Sequence, residues 1–154
     1  ALDALKVHFI DLLQTSVKKL EQECAGNVLV LDKIFSTVAK IPGSEVYGKM
    51  AEWAQHESFT IKNPNRVRAL YGAFISANPS QFHDISGKGY EFLTDLLIKL
   101  DKVNPQVAAR MVTPLLSWKR FDPTRQSLMQ SGLQRLAKEE LSKDLYEKVN
   151  SALA

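Results

Sequence analysis

Gln106 and Arg110 stand four residues apart on a stretch that opens with Asn104-Pro105 and reads as a helix. At that spacing two side chains share one face, one above the other. Val107, Ala108, Met111, Val112, Leu115 and Leu116 form the apolar side. Arg68 lies on another stretch, where Val67, Leu70, Tyr71 and Phe74 are the core side and small Gly72 follows one turn along. An arginine fork can hold a carboxylate through two parallel hydrogen bonds. Periodicity leaves two readings open. In one, these are solvated faces making surface pairs worth about 0–1 kcal/mol each. In the other, arginine forks and an amide line a cavity and bind carboxylates or peptide groups.

Other chemistry is thin. His56-Glu57-Ser58-Phe59-Thr60 begins like H-E-x-x-H, but Thr60 stands where the second ligand should be. A catalytic zinc site needs two histidines one turn apart plus a carboxylate, so His56 reads as a surface or helix-end residue. His8 and His83 have no spaced partner. There is no G-x-S-x-G elbow, P-loop or G-x-G-x-x-G. Ser86-Gly87-Lys88-Gly89 lacks the residues that cradle phosphate and reads as a flexible helix connection. Cys24 has no convincing histidine partner and reads as a small helix-end residue. No catalytic residue and no metal ligand is assigned in this chain.

The elements that must position the polar faces are helices. The chain has 154 residues, 45% hydrophobic and 24% charged, which fits one domain or a piece of a larger protein. A net charge of +3 is too weak to identify a nucleic-acid partner. One cysteine excludes an internal disulfide and fits a reducing, cytoplasmic location. No apolar run approaches the roughly 20 residues of a membrane span, and no signal-peptide pattern precedes the first helix. Ala1 enters an amphipathic pattern at once, so the natural N-terminus is expected upstream.

Leu2, Leu5, Phe9, Leu12, Leu13, Val17 and Leu20 trace a first helix, ending near Cys24-Ala25-Gly26. Val28, Leu31, Phe35 and Val38 trace a second. Ile41-Pro42-Gly43 is a turn, and Tyr47, Met50, Ala51, Trp53 and Ala54 mark a third helix. Asn63-Pro64, Asn78-Pro79, Asn104-Pro105 and Asp122-Pro123 each set a capping side chain before a proline. Each pair reads as a helix start. Helices are expected over about 64–76, 79–83, 88–103, 105–120 and 123–139, with Ser142 capping a last one. Pro114 should kink or split its helix near Thr113. The fold class is all-α, with antiparallel helix pairs stacked as a bundle or an α-solenoid.

The run Ser58-Phe59-Thr60-Ile61-Lys62-Asn63-Pro64-Asn65-Arg66-Val67-Arg68 resembles the S-F-x-x-x-N-P-N-R-x-R signature of the bacterial M1 alanyl aminopeptidase family, the aminopeptidase N type. Tyr71-Gly72-Ala73-Phe74, Asn104 to Arg110, Pro114-Leu115 and Lys119-Arg120-Phe121-Asp122 continue the resemblance. So do Leu29 to Lys33 and the ending Asp144 to Val149 with Ala152-Leu153-Ala154. The resemblance implies that residues 1–154 are a single C-terminal helical domain, an ARM/HEAT-like superhelix. It implies a parent enzyme, a zinc hydrolase, that releases N-terminal residues from peptides. The zinc ligands belong to an upstream catalytic domain of the same chain and are absent here, so this piece alone is expected to be inactive and metal-free. The domain is expected to close over the active site. Gln106 is then expected near the first-residue pocket, and Arg68 and Arg110 toward the leaving side of a peptide substrate.

A reading of another class is a helical-repeat module that binds protein, or nucleic acid through Lys119, Arg120 and Arg125. The composition gives it no strong basic stripe and no interleaved aromatic platform. No nucleic-acid partner and no membrane partner is expected.

Overall fold

The computed structural model describes His8, Asp11, Leu12, residues 15–19, Gln22 and residues 27–154. The expected first helix is helical at 15–19, but most of it, with its Cys24-Ala25-Gly26 end, lies outside the described residues. Every regular element among the described residues is a helix. The chain forms two compact units, Ala1–Asn78 and Pro79–Ala154.

In the first unit, α1 spans Val28–Val38 and buries Leu31, Ile34, Phe35 and Val38. Asn27 caps it, its side chain accepting the Leu29 N–H at 3.1 Å. Gly43, at φ 86°, turns the chain into α2, Glu45–Trp53, which buries Val46 and Met50. The third helical rod has three parts in continuous right-handed conformation. These are α3 (Pro64–Val67), a π-helical turn (Arg68–Gly72) and α4 (Ala73–Ala77). The Ala73 N–H reaches back five residues to the Arg68 carbonyl.

Arg66 ties this rod to α1. Its side chain is only 7% exposed, and Nη1 pairs with the Asp32 carboxylate. Nε donates to the Ser58 carbonyl at 3.2 Å, and the guanidinium lies 5.9 Å from the Phe35 ring centre. A buried cation needs this set of partners, because an unpaired charge in a core is strongly unfavourable.

The second unit begins with α5 (Pro79–Phe82) and the long α6 (Lys88–Asp101). Tyr90, Leu93, Leu96, Leu97 and Leu100 bury one side of α6. It packs against α7 (Pro105–Met111) and α9 (Pro123–Leu136). Between those two lie α8 (Thr113–Leu116) and a 3-10 turn (Trp118–Arg120). The last helix, α10, is Lys143–Leu153, with Leu145 and Val149 buried.

Pro114 does split the helix, as its ring and missing N–H require. Met111 ends α7 and Thr113 starts α8, while the Thr113 hydroxyl donates to the Arg110 carbonyl at 2.8 Å. α6 starts at Lys88, as expected, but the Ser86-Gly87-Lys88-Gly89 run is not the flexible connection it reads as. Lys88 and Gly89 are already the first turn of α6, and a Cβ on Gly89 would strike the Phe82 backbone. Glycine is there for close backbone packing, not for flexibility. No helix among the described residues is long and apolar enough to cross a membrane.

Candidate functional site

The site is built from the α7 and α10 surfaces. Asn104 starts α7, its side chain accepting the Val107 N–H at 3.4 Å, and Pro105 follows at the first helical position. Val107, Ala108, Ala109 and Met111 turn inward, which leaves Gln106 and Arg110 exposed together. On α10 the inward residues are Leu145 and Val149, so Asp144, Glu147 and Lys148 face out. Gln106, Ala109 and Arg110 on one wall and Asp144, Glu147 and Lys148 on the other line a depression of about 350 Å³.

Four hydrogen bonds fix the second wall. The carboxylate of Asp101, at the end of α6, accepts the Ser142 N–H at 2.6 Å and the Ser142 hydroxyl at 2.5 Å. Ser142 therefore stands at the expected cap position but directs its hydroxyl to Asp101, not to its own helix. Lys148 Nζ donates to the Ala109 carbonyl at 2.6 Å. Trp118 Nε1 donates to the Ala152 carbonyl at 3.1 Å near the far end of α10.

Neither the Gln106 amide nor the Arg110 guanidinium has a hydrogen bond or ion pair to any described residue. Asp144 and Glu147 line the same depression, yet among the described residues Glu147 makes only a long 3.9 Å contact with Lys143. One fork and one amide therefore face solvent without partners among the described residues, beside two carboxylates. Such an array suits a ligand with carboxylate or peptide groups to offer to the fork and amide.

Arg68 belongs to the first unit. It opens the π-helical turn, is exposed, and its guanidinium has no partner among the described residues. A π turn inserts one extra residue into the helical register, and such turns recur at functional sites. Gln106 and Arg110 are thus brought to one depression, and Arg68 is an exposed fork on the other unit. Asp144, Glu147 and Lys148 were missed by sequence reasoning. Their spacing, opposite buried Leu145 and Val149, was the available signal.

The remaining candidates have local roles. The His56 ring stacks on Trp53 at 5.0 Å, and its Nδ1 accepts the Ser58 N–H at 3.1 Å. That is a helix-end arrangement. No group of three or more His, Cys, Asp or Glu among the described residues is placed to hold a metal, so these side chains do not fit a zinc site. His83 shares a 2.8 Å hydrogen bond with the Tyr90 hydroxyl and stacks on Phe121 at 4.7 Å. Burial, and then the nearby Arg125 cation, hold its pKa below the usual histidine value. Arg125 itself pairs with Asp122 at 2.8 Å and donates to the His83 carbonyl at 2.7 Å. Lys119 lies 5.4 Å from the Trp118 ring centre. Two of the three cations of the alternative basic cluster are therefore engaged close to home.

The chain resembles known proteins along most of its length. The chain is 48% identical to an aminopeptidase N of Haemophilus influenzae over 134 residues, covering 86% of this chain and 15% of the relative. It is 47% identical to an aminopeptidase N of Escherichia coli over 129 residues, 83% of this chain and 15% of that one. A crystal structure of Legionella pneumophila aminopeptidase A in complex with aspartic acid superposes with a TM-score of 0.85 at 28% identity. That match covers 91% of this chain and 16% of the Legionella chain. The chain thus spans about 15% of the length of the curated relatives it matches. A model described as a domain of unknown function with ARM repeats, DUF3458_C, matches residues 1–154. With the helical architecture described above and that match along its whole length, the chain belongs to the DUF3458_C family of ARM-repeat domains.

Proposed function

We propose that residues 1–154 serve as the C-terminal domain of a cytoplasmic, zinc-dependent M1 aminopeptidase that removes N-terminal residues from peptides. In this reading the domain encloses the active site and lines the peptide cavity. The zinc is held by an upstream catalytic domain of the same polypeptide, so this chain supplies no metal ligand and is inactive alone. Gln106 contacts the substrate near its first residue, and Arg68 and Arg110 contact the leaving side. The observation that carries the proposal is the pairing of Gln106 and Arg110 on one depression, both without partners among the described residues. A fork without an internal partner is available to a peptide carbonyl or carboxylate at no loss of an existing bond. The likeness to aminopeptidase N chains supports the parent activity.

The test uses the full-length aminopeptidase that carries this domain. Arg68→Ala and Arg110→Ala should each raise KM for short peptides about 10- to 100-fold, the loss of a charged hydrogen bond of about 1.5–3 kcal/mol. Unchanged peptide kinetics in both variants would overturn the assignment. The isolated chain should bind no zinc and release no residue from a peptide. Zinc at one equivalent, with activity, would overturn the division of labour.

A further inference from the structure

We infer that Lys148 is a positioning residue for peptide contact: by donating to the Ala109 carbonyl it sets how Arg110 enters the depression. The inference rests on the reading of Arg110 given above. The Ala109 carbonyl belongs to the peptide group whose nitrogen is that of Arg110. Lys148 Nζ reaches it from α10 at 2.6 Å, across 39 residues of sequence. The contact lies in the last turn of α7, where carbonyls lack helical partners and carry the negative end of the helix dipole. A cation there is well placed. The bond joins the two walls of the depression at one of the two peptide groups that flank the Arg110 α-carbon.

Three neighbours make this contact specific. Thr113 satisfies the Arg110 carbonyl from the other side of the Pro114 break, at 2.8 Å. Both carbonyls flanking the Arg110 α-carbon are therefore held, one by α10 and one by α8. Glu147 and Asp144 line the same depression, yet Lys148 takes the backbone oxygen of Ala109. A lysine ammonium is a point donor, and a backbone oxygen receives it as well as a carboxylate would geometrically. Lys148 thereby leaves Arg110 as the cation open to ligand in this depression, among the described residues.

The experiment compares two substrates of the full-length aminopeptidase. Tetra-alanine has residues on the leaving side, and alanine p-nitroanilide has none. Lys148→Met should raise KM for tetra-alanine about tenfold, as loss of positioning for one charged hydrogen bond implies. It should leave kcat and the p-nitroanilide kinetics near wild type. Lys148→Arg, which keeps a donor, should recover most of the loss. In an Arg110→Ala background, Lys148→Met should add less than about twofold, since residues acting through one another are not additive. Equal damage to both substrates, or a lowered melting temperature with normal peptide KM, would overturn the inference and leave Lys148 a structural contact. Full additivity with Arg110→Ala would overturn it as well. If Arg110→Ala raises KM and Lys148→Met does not, only this inference fails. If Arg110→Ala has no effect, the reading of Arg110 fails and this inference falls with it.

Discussion

Asp101 and Ser142 are joined twice: one carboxylate oxygen accepts the serine N–H at 2.6 Å and the other accepts its hydroxyl at 2.5 Å. Asp101 is 5% exposed, and Ser142 supplies a donor to each of its oxygens inside the fold. The pair hangs the start of α10 from the end of α6 and so sets the wall that carries Asp144, Glu147 and Lys148. Ser142→Ala should destabilise the fold by about 1.5–3 kcal/mol, the range for a hydrogen bond to a charged group. Asp101→Ala should weaken it more, because two Ser142 donors lose their acceptor. Urea unfolding measures both, and faster amide exchange over residues 143–147 should accompany them. A Ser142→Ala variant as stable as wild type would show that the backbone bond alone holds α10.

The Asp32–Arg66 pair predicts an asymmetry. The Arg66 side chain is 7% exposed and that of Asp32 is 26% exposed. Removing Asp32 strands a guanidinium that cannot shed its proton, deep in the unit. Removing Arg66 leaves a carboxylate that water can still reach. Asp32→Ala should therefore cost more than Arg66→Met, about 3–5 kcal/mol against roughly half of that. Equal losses in denaturant unfolding would mean that Ser58 and Phe35 hold Arg66 without its ion pair.

Two helical glycines should respond with opposite signs to the same change. Alanine is favoured over glycine within a helix by about 1 kcal/mol. Gly48 in α2 has nothing within 4 Å of the place a methyl would occupy, so Gly48→Ala should stabilise by about that amount. At Gly89 in α6 the same methyl meets the Phe82 backbone, which cannot yield as a side chain can. Gly89→Ala should destabilise by about 1–3 kcal/mol through overpacking. Thermal melts of the two variants decide the matter, and a stabilised Gly89→Ala would mean that α5 slides freely on α6.

What the sequence made legible was local. Asn63, Asn104 and Asp122 cap their helices as the residue types dictate, accepting from Asn65, Val107 and Arg125. The Pro114 break followed from a ring with no N–H. The face shared by Gln106 and Arg110 followed from 3.6-residue periodicity, and the ARM-type fold from the family resemblance. The π turn at Arg68 escaped, because one extra residue barely alters a pattern of apolar spacing. So did the bonds of Lys148 to Ala109 and Ser142 to Asp101. They join residues about 40 apart, and nothing in local propensity names such partners. Asn78 is mixed: a helix follows it, but its amide also donates to the Ala39 and Ile41 carbonyls, which its neighbours in sequence do not foretell.

His83 should make stability depend on pH in one window. Its folded pKa lies below the ordinary 6.5, first through burial and then through Arg125. Below 6.5 the unfolded chain therefore binds a proton more readily than the folded one. Stability should fall as pH drops from about 6.5 towards the folded value, and the contribution should be constant above 6.5. His83→Gln should flatten that part of the curve while leaving the carboxylate-driven loss at lower pH. A pH series of unfolding midpoints for both proteins checks this. An unaltered slope in the variant would assign the dependence to other groups.

Gln106→Glu provides the sharpest test of why the fork at Arg110 has no partner among the described residues. The change is nearly isosteric, and it sets a carboxylate four residues before an arginine on the same helix face. That order is the favourable one for a helical ion pair, because each charge also suits its end of the helix dipole. The new carboxylate would draw the guanidinium into an intrahelical pair worth about 0.2–0.5 kcal/mol and lay a negative charge where the amide stood. On the proposed reading, KM of the full-length protein for short peptides should rise well beyond the effect of Gln106→Ala. Added salt should recover part of the loss, since an exposed pair is screened over about 10 Å at 0.1 M. Arg110→Lys should behave differently: the charge stays, the two-pronged geometry goes, and salt should restore nothing. If Gln106→Glu and Gln106→Ala give the same peptide KM at every salt concentration, the guanidinium and the amide do not act on a common ligand.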